Sequence, residues 1–400
     1  MPSIDRRQLI GIAAAALVSG TAGAQQLPGA LAFLQAILQD GTRFDPAIVT
    51  EAARLLSKRA FIPPSAPLPD PFNNLNAEAY GGIRHRPERR IWADESRSMV
   101  LEPLHRGFVY SAPVSISLVE DGIVRRVVYD PGLYQFGRLT PPAQMPDVGF
   151  SGFRLLASGE NGREIASFQG ATFFRSAARG QGMGALARGL AIKTADPRGE
   201  EFPIFRAFWI DRPLNDGTIV IHAIADSESA TAAFRFTLRA NDVTILDTEA
   251  TIFARVALDH IGIAPIQASF LFGANRRRGV DDFRPSVHEV NGLQMLNGRS
   301  EWIWRPLSNP EQLQISSFMD ENPRGFGLIQ RDRDFASFQD DDQRYELRPS
   351  LWIEPIGDWG PGNVQLIEIP SESEVNDNII AFWRPRACLL YTSPSPRDRG

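Results

Sequence analysis

The sequence is poor in the features that would settle a function at sight. One cysteine, Cys388, stands in 400 residues, so no internal disulfide can form and stability must come from a large apolar core. The five histidines (His85, His105, His222, His260 and His288) share no metal-ligand spacing, and no Gly-x-Ser-x-Gly elbow occurs, which leaves zinc and serine-hydrolase chemistry without support. Neither sign of charge dominates: the net charge is −5 and basic residues are scattered among acids. That excludes a nucleic-acid footprint and makes a sugar or another neutral ligand the better fit. No fixed-period repeat is present, which argues against a propeller or solenoid. Gly180-Gln-Gly-Met-Gly184 lacks both the Lys-Ser/Thr of a P-loop and the spacing of a dinucleotide fingerprint, and reads as a surface loop. The acids Asp332, Asp334, Asp340, Asp341 and Asp342 lack the alternating ligands and closing Glu of a calcium loop, so no metal is expected, and no cofactor.

The two ends read differently from the middle. Residues 1–24 have a positive start, a short apolar run and the small residues Ala22-Gly23-Ala24 at a cleavage site, which is an export signal too short to span a membrane. Arg6-Arg7 before Gln8-Leu9-Ile10 fits a twin-arginine signal, with an ordinary secretory signal as the alternative; either exports the mature chain. Residues 386–400, with their Ser-Pro repeats and terminal charges, follow no strand or helix period and are expected to be foreign to the fold, resembling a translated sequencing artefact, with the natural chain continuing beyond Pro385. Between them, residues 25–385 have the composition of an ordinary globular domain, 43% hydrophobic and 22% charged over the whole chain.

One helix is predicted after the signal, over Asp45-Pro-Ala-Ile-Val-Thr-Glu-Ala-Ala-Arg-Leu-Leu-Ser-Lys-Arg59, with Asp45 as N-cap, Pro46 at the first position and basic residues in the last turn. From Val109 onward the period falls to about two: VYSAPVSISLV, a turn at Glu120-Asp-Gly122, IVRRVVY, FRFTLRA, VTILDTEATIFARV, SEWIWRPL, SLWIEP and VQLIEI. With 33 Gly and 30 Pro as punctuation, this pattern predicts an all-β fold, a large antiparallel β-sandwich of two facing sheets.

The last strand carries chemistry at its mouth. In SESEVNDNIIAFW (371–383), three acids precede a run that is apolar on both alternating faces, which predicts a strand covered on both sides. Asp377 then stands at a rigid edge, either as a turn-former or as an acid whose pKa its surroundings raise, and spacing does not choose. Trp302, Trp304, Trp352, Trp359 and Trp383 crowd the same quarter of the chain. They read as sandwich core or, beside Arg and Asp, as a sugar platform, because the CH face of a pyranose stacks on indole while its hydroxyls need polar partners.

The blocks RPSVHEVNGL (284–293), SEWIWRPLSNP (300–310), NPRGFGLIQRDRDF (322–335), YELRPSLWIEP (345–355) and EVNDNIIAFWRP (374–385) resemble the periplasmic glucan biosynthesis proteins, the OpgG/OpgD (MdoG/MdoD) family. VGFSGFRLL (148–156), ARGLAIKTA (187–195), GEEFPIFRAFWI (199–210) and GIAPI (262–266) agree with it, and the twin-arginine signal is more like the OpgD branch. The resemblance implies a large galactose-mutarotase-like β-sandwich followed by an immunoglobulin-like C-terminal domain, which this chain is expected to lack. It also implies a periplasmic role in making osmoregulated glucans and an inverting endo-β-1,2-glucanase activity. Carried over by position, the general acid falls on Asp377, with Glu374 as a neighbouring acid, Tyr345 as a member of a proton relay, and Glu289 where the family's basic Asp stands. Glu289 is a departure, because its extra methylene moves the carboxylate relative to a water that must attack from one direction.

The chemistry asks that Asp377 be protonated near neutrality and that Glu289 stay ionised. Glu374 is expected to repel Asp377 and raise its pKa, and His288 with Arg284 to favour the charge on Glu289. Trp302, Trp304, Arg305, Arg348 and Asp340 are the candidate sugar contacts. The partners expected are β-1,2-glucan, with the membrane glucosyltransferase of glucan synthesis and a second copy of the chain in a homodimer as further candidates; no nucleic acid is expected. A non-hydrolytic glucan-binding scaffold is the second reading, favoured by the change at 289.

Overall fold

A computed structural model describes residues 39–386 apart from residues 65, 160–161, 259, 275–276 and 278–280, so the expectations for the export signal and for residues 387–400 lie outside the described residues. The helix forms over Pro46–Ser57, and the Asp45 carboxylate accepts the Ala47 amide at 2.9 Å, as its cap position predicts. Its buried face, Val49, Ala52, Ala53 and Leu56, packs on Val119, Val124, Trp209 and Ile224. Among the described residues no helix is long and apolar enough to cross a membrane.

Two large sheets face each other. The six-stranded sheet runs in the order Thr244–Ala254, Ala230–Ala240, Thr218–Asp226, Ile204–Asp211, Ser115–Glu120, Ile123–Arg126, and the helix covers its outer face. Every neighbouring pair in it is antiparallel except Ile204–Asp211 with Ser115–Glu120. The expected turn between the last two strands puts Asp121 (φ 52°) and Gly122 (φ 76°) in the left-handed region, the two-residue geometry that Asp-Gly favours because it matches strand twist. Only the second half of VYSAPVSISLV enters the sheet. Pro113 has no amide to give a ladder, and the segment before Ser115 is tied by isolated bridges at Tyr110 and Val114.

The ten-stranded sheet runs from Met99–Leu104 through Gly152–Ala157, Glu164–Gln169, Phe173–Ser176, Leu186–Arg188, Ile261–Ala268, Ile379–Pro385 and Gly362–Glu368 to Gln314–Asp320, with Ala191–Ile192 paired beside the path. Between the sheets lies a phenylalanine core in which Phe153 and Phe168 stack at 5.1 Å, and Phe208 meets Phe153 edge-on at 5.0 Å and Phe205 at 4.7 Å. The sandwich expected from period-two patterning is thus the observed architecture. Ile379–Pro385 is covered on both sides, as its sequence requires: Ile379, Ala381 and Trp383 enter the main core, while Ile380 and Phe382 join Ala191 and Ile367 on the opposite face.

A smaller sheet, Trp302–Pro306, Gly292–Leu296, Gly325–Ile329 and Leu351–Ile353 in that order, buries Leu293, Met295, Phe326 and Leu328 in the main core. Its other face is floored by glycine. A Cβ on Gly292 would stand 2.0 Å from the Trp304 ring, and one on Gly325 would stand 2.1 Å from the Trp352 ring, so these indoles lie against bare backbone. The core reading therefore holds for Trp383 and fails for Trp302, which is 62% exposed with its ring centroid 5.7 Å from that of Trp352.

Candidate active site

The site forms where Ile261–Ala268 and Ile379–Pro385 end side by side, with Ala268 opposite Ile379. Asn378 fixes the corner. Its side chain accepts the Phe270 amide at 2.8 Å and donates to the carbonyls of Phe270 and Ile369 at 3.0 and 3.1 Å, satisfying backbone groups that the strand end leaves buried. Asp377, next in the chain, is thereby presented to Gln267, whose amide donates to Oδ2 at 2.7 Å. Burial raises the Asp377 pKa, while the Gln267 hydrogen bond and the charges of Arg188 and Arg175 oppose the rise.

Glu289 arrives from a separate segment, just after the short strand Val287–His288. Its backbone amide donates to the Ser269 carbonyl at 3.0 Å, and its Oε2 accepts the Ser269 amide at 3.3 Å. Gln267 anchors Asp377 through its side-chain amide, and Ser269, two residues further along the same segment, anchors Glu289 through its backbone, so the charge of Asp377 reaches Glu289. Burial lifts the Glu289 pKa to about 7; the charge of Asp377 adds to the rise, and Arg348, the Ser269 amide and Arg175 oppose it. Arg348 Nη1 lies 3.7 Å from Glu289 Oε1, and the Glu289 side chain retains 14% exposure, so it is shielded without being sealed. Asp377 is likewise only partly covered. The structure brings the two acids together across a sequence gap of almost ninety residues.

The remaining expected residues divide. Arg284 gathers three carboxylates, with Asp282 at 2.8 Å, Asp340 at 2.5 Å and Glu374 at 2.8 Å. Tyr345 is buried beside this cluster; burial raises its phenol, and the charge of Glu374 is the next contribution. Two expectations about charge are corrected. Glu374 is held by Arg284 and does not contribute to the rise at Asp377, which comes from burial. His288 and Arg284 do not support the charge on Glu289. His288 is stacked on Phe270 at 5.3 Å and burial lowers its pKa to about 4, which keeps it neutral, while Arg284 is taken up by acids; the cations that act on Glu289 are Arg348 and Arg175.

Arg348 is itself clamped by the Gly180–Gly184 segment. It donates to the Met183 carbonyl and, at 2.9 Å, to Gln343; the Gly182 amide donates to the Leu347 carbonyl at 3.0 Å. A Cβ on Gly184 would meet Pro349 Cδ at 3.0 Å and Arg348 at 3.2 Å. The glycines that read as an idle surface loop let the chain approach this arginine closely. Arg305 is engaged elsewhere: it pairs at 2.8 Å with fully buried Glu368, which also accepts the amide and hydroxyl of Ser308. Asp340 caps the turn at Asp342 and Gln343 besides holding Arg284. Trp304 lines a cavity of about 190 Å³ with Phe270, His288, Asn291, Arg331 and Asp332, and Arg331 lies 4.9 Å above its ring. Among the described residues no group of three or more His, Cys, Asp or Glu side chains is arranged to hold a metal ion.

Sequence reading passed over Gln267, Arg188, Arg175 and Asn378, which belong to no motif. The one local signal was Gln267 itself, a buried amide in the otherwise apolar run IAPIQASF, since a polar side chain in such a strand needs a partner.

Comparison with known proteins gives this geometry a setting. The family model described as "Periplasmic glucan biosynthesis protein, MdoG" matches residues 44–394. "Glucans biosynthesis protein G" of Vibrio cholerae is 46% identical over 355 residues, covering 88% of this chain and 65% of the relative. The protein of the same description from Shewanella baltica is 47% identical over 348 residues, covering 86% and 64%. That from Rhodopseudomonas palustris is 47% identical over 350 residues, covering 86% and 70%. The chain spans about two thirds of the length of these relatives.

Proposed function

This chain belongs to the family of periplasmic glucan biosynthesis proteins, and on that premise we propose that it is exported to the periplasm, binds β-1,2-glucan and hydrolyses internal linkages of that polymer with inversion. The observation that carries the proposal is the anchoring of Asp377 and Glu289 to Gln267 and Ser269 of one segment, near enough for the charge of Asp377 to act on Glu289. Inversion needs an acid to protonate the leaving oxygen and a base on the opposite face of the sugar to take a proton from the attacking water. Asp377 is the acid by the family's pattern, and burial shifts it toward the protonated form. Glu289 is the base, working directly or through a chain of water and sugar hydroxyls that passes Tyr345. A relay of this kind lets the two carboxylates stand further apart than the usual ~6.5–9.5 Å. Arg348 keeps Glu289 ionisable, and Trp302, 62% exposed, offers a flat apolar face on which a pyranose ring stacks, with Trp304 beneath Arg331 in the neighbouring cavity.

The second reading, a glucan-binding scaffold that shapes the polymer without cutting it, draws on Glu289. This side chain is one methylene longer than the Asp of the family's pattern, which moves the carboxylate relative to the water it would have to activate. Incubation of the protein with linear β-1,2-glucan, beside Glu289→Asp and Asp377→Asn, separates the two. Release of shorter glucans with inverted anomeric configuration, abolished in Asp377→Asn, supports hydrolysis. Calorimetric binding of glucan with no cleavage by either the natural sequence or Glu289→Asp rejects it in favour of the scaffold.

A further inference from the structure

Asp377 is held by a chain of donors whose direction is fixed. Arg188 is 7% exposed, and its guanidinium lies 5.1 Å from the Phe173 ring centroid and 5.3 Å from that of Phe202. Its Nη1 pairs with Glu200, which also accepts the Thr194 hydroxyl at 2.7 Å, and its Nε donates to the Gln267 side-chain oxygen. A guanidinium has no acceptor, so the oxygen of the Gln267 amide must face Arg188 and its NH₂ must face Asp377. The amide cannot turn over without placing two donors against each other. It is a donor only at Asp377 Oδ2, 2.7 Å away, and an oxygen receiving that hydrogen has no room for a proton of its own along the same line.

We propose that Arg188 and Gln267 are positioning residues that reserve Oδ2 of Asp377 as a hydrogen-bond acceptor, so that the proton this carboxyl gives up is carried on Oδ1 alone. The inference deepens the hydrolytic reading and rests on it for its use in catalysis. In the step itself the Oδ1–H bond breaks and a bond forms from that hydrogen to the glycosidic oxygen as its bond to the anomeric carbon breaks and water adds to that carbon. The new carboxylate is met at once by the amide on Oδ2 and by the charge of Arg188 behind it. Four groups face or act across this carboxyl from the elements around it: Gln267 on Ile261–Ala268, Arg188 on Leu186–Arg188, Arg175 on Phe173–Ser176, and Glu289. Gln267, Arg188 and Arg175 favour the charged form against burial.

The test is Gln267→Met, which keeps the bulk and removes the donor, with Arg188→Lys as a second variant that keeps the charge and loses the fork. The Asp377 carboxyl resonance, assigned by its disappearance in Asp377→Asn, is titrated by carbon NMR, and glucan release is measured against pH. Loss of the donor destabilises the carboxylate, so the titration midpoint rises, with an acid dissociation constant about tenfold smaller in Gln267→Met. The alkaline limb of kcat moves up with it while KM changes little. Arg188→Lys moves the midpoint the same way, which decides the matter if Gln267→Met does not fold. A midpoint unchanged in the folded variants overturns the proposal. A midpoint that shifts in a protein cutting no glucan upholds the proton placement and removes only the hydrolytic reading.

Discussion

Glu289→Gln tests the electrostatics of the site without any substrate. A carboxyl whose pKa is about 7 in the folded protein, against 4.5 in the unfolded chain, prefers to be protonated when folded. Its contribution is neutral below pH 4.5, where both states hold the proton. It turns unfavourable as pH rises from about 4.5 to about 7, and above that it is constant, because the folded state must then bear a charge that the unfolded state bears in water. At ~1.4 kcal/mol for each tenfold change in proton affinity, the difference amounts to ~3 kcal/mol as a ceiling. Glutamine keeps the shape, and its oxygen can accept the Ser269 amide that Glu289 accepts now. What is lost is an ion pair with Arg348 at 3.7 Å, a long contact of small value. Glu289→Gln should therefore be the more stable protein at pH 8, by between ~1 and ~3 kcal/mol, and equal to the natural sequence at pH 4. Chemical denaturation at the two pH values measures this. A variant less stable at pH 8, or a gain that is the same at pH 4, would refute the account of Glu289 as a carboxylate held against its charge.

Other perturbations read the same site differently. Asp377→Asn removes the charge that helps to raise Glu289, so the Glu289 midpoint should fall below about 7 in an NMR titration, and cleavage should drop by ~100-fold or more in a reducing-end assay while glucan binding persists. Gly184→Ala drives a methyl group into Pro349 and Arg348; displacement of Arg348 withdraws a cation from Glu289, whose midpoint should rise in the same titration. Trp302→Ala should weaken glucan binding in calorimetry by ~1 kcal/mol, because that ring is the exposed one and free to stack on a sugar.

What could be read from the sequence was whatever neighbours along the chain decide. The helix from Pro46 announced itself through Asp45 and a buried face at helical spacing, and the Asp121-Gly122 turn through the positive φ that those two residues accept. Ile379–Pro385 was legible as a strand covered on both faces because nothing polar interrupts either of its alternating rows before Arg384. These are local rules, and the all-β class follows from many of them agreeing. Local pattern put Asp377 at the strand's mouth without choosing its role, and resemblance to a family added that role and the name of Glu289, which no local rule picks out.

Only the tertiary structure decided which charges meet. Arg284 lies five residues from Glu289 in sequence yet serves Asp282, Asp340 and Glu374, while Arg348, almost sixty residues away, and Arg175, more than a hundred away, are the cations that act on Glu289. Gln267 reaches Asp377 because the register of Ile261–Ala268 against Ile379–Pro385 places Ala268 opposite Ile379, and a slip of one residue would turn that amide to the other face of the sheet. Strand register, sheet order and the depth of burial are properties of the assembled sandwich. Because pKa values and hydrogen-bond partners depend on those properties, the sequence by itself determined the framework and the kinds of side chain available, and folding determined which of them form a site.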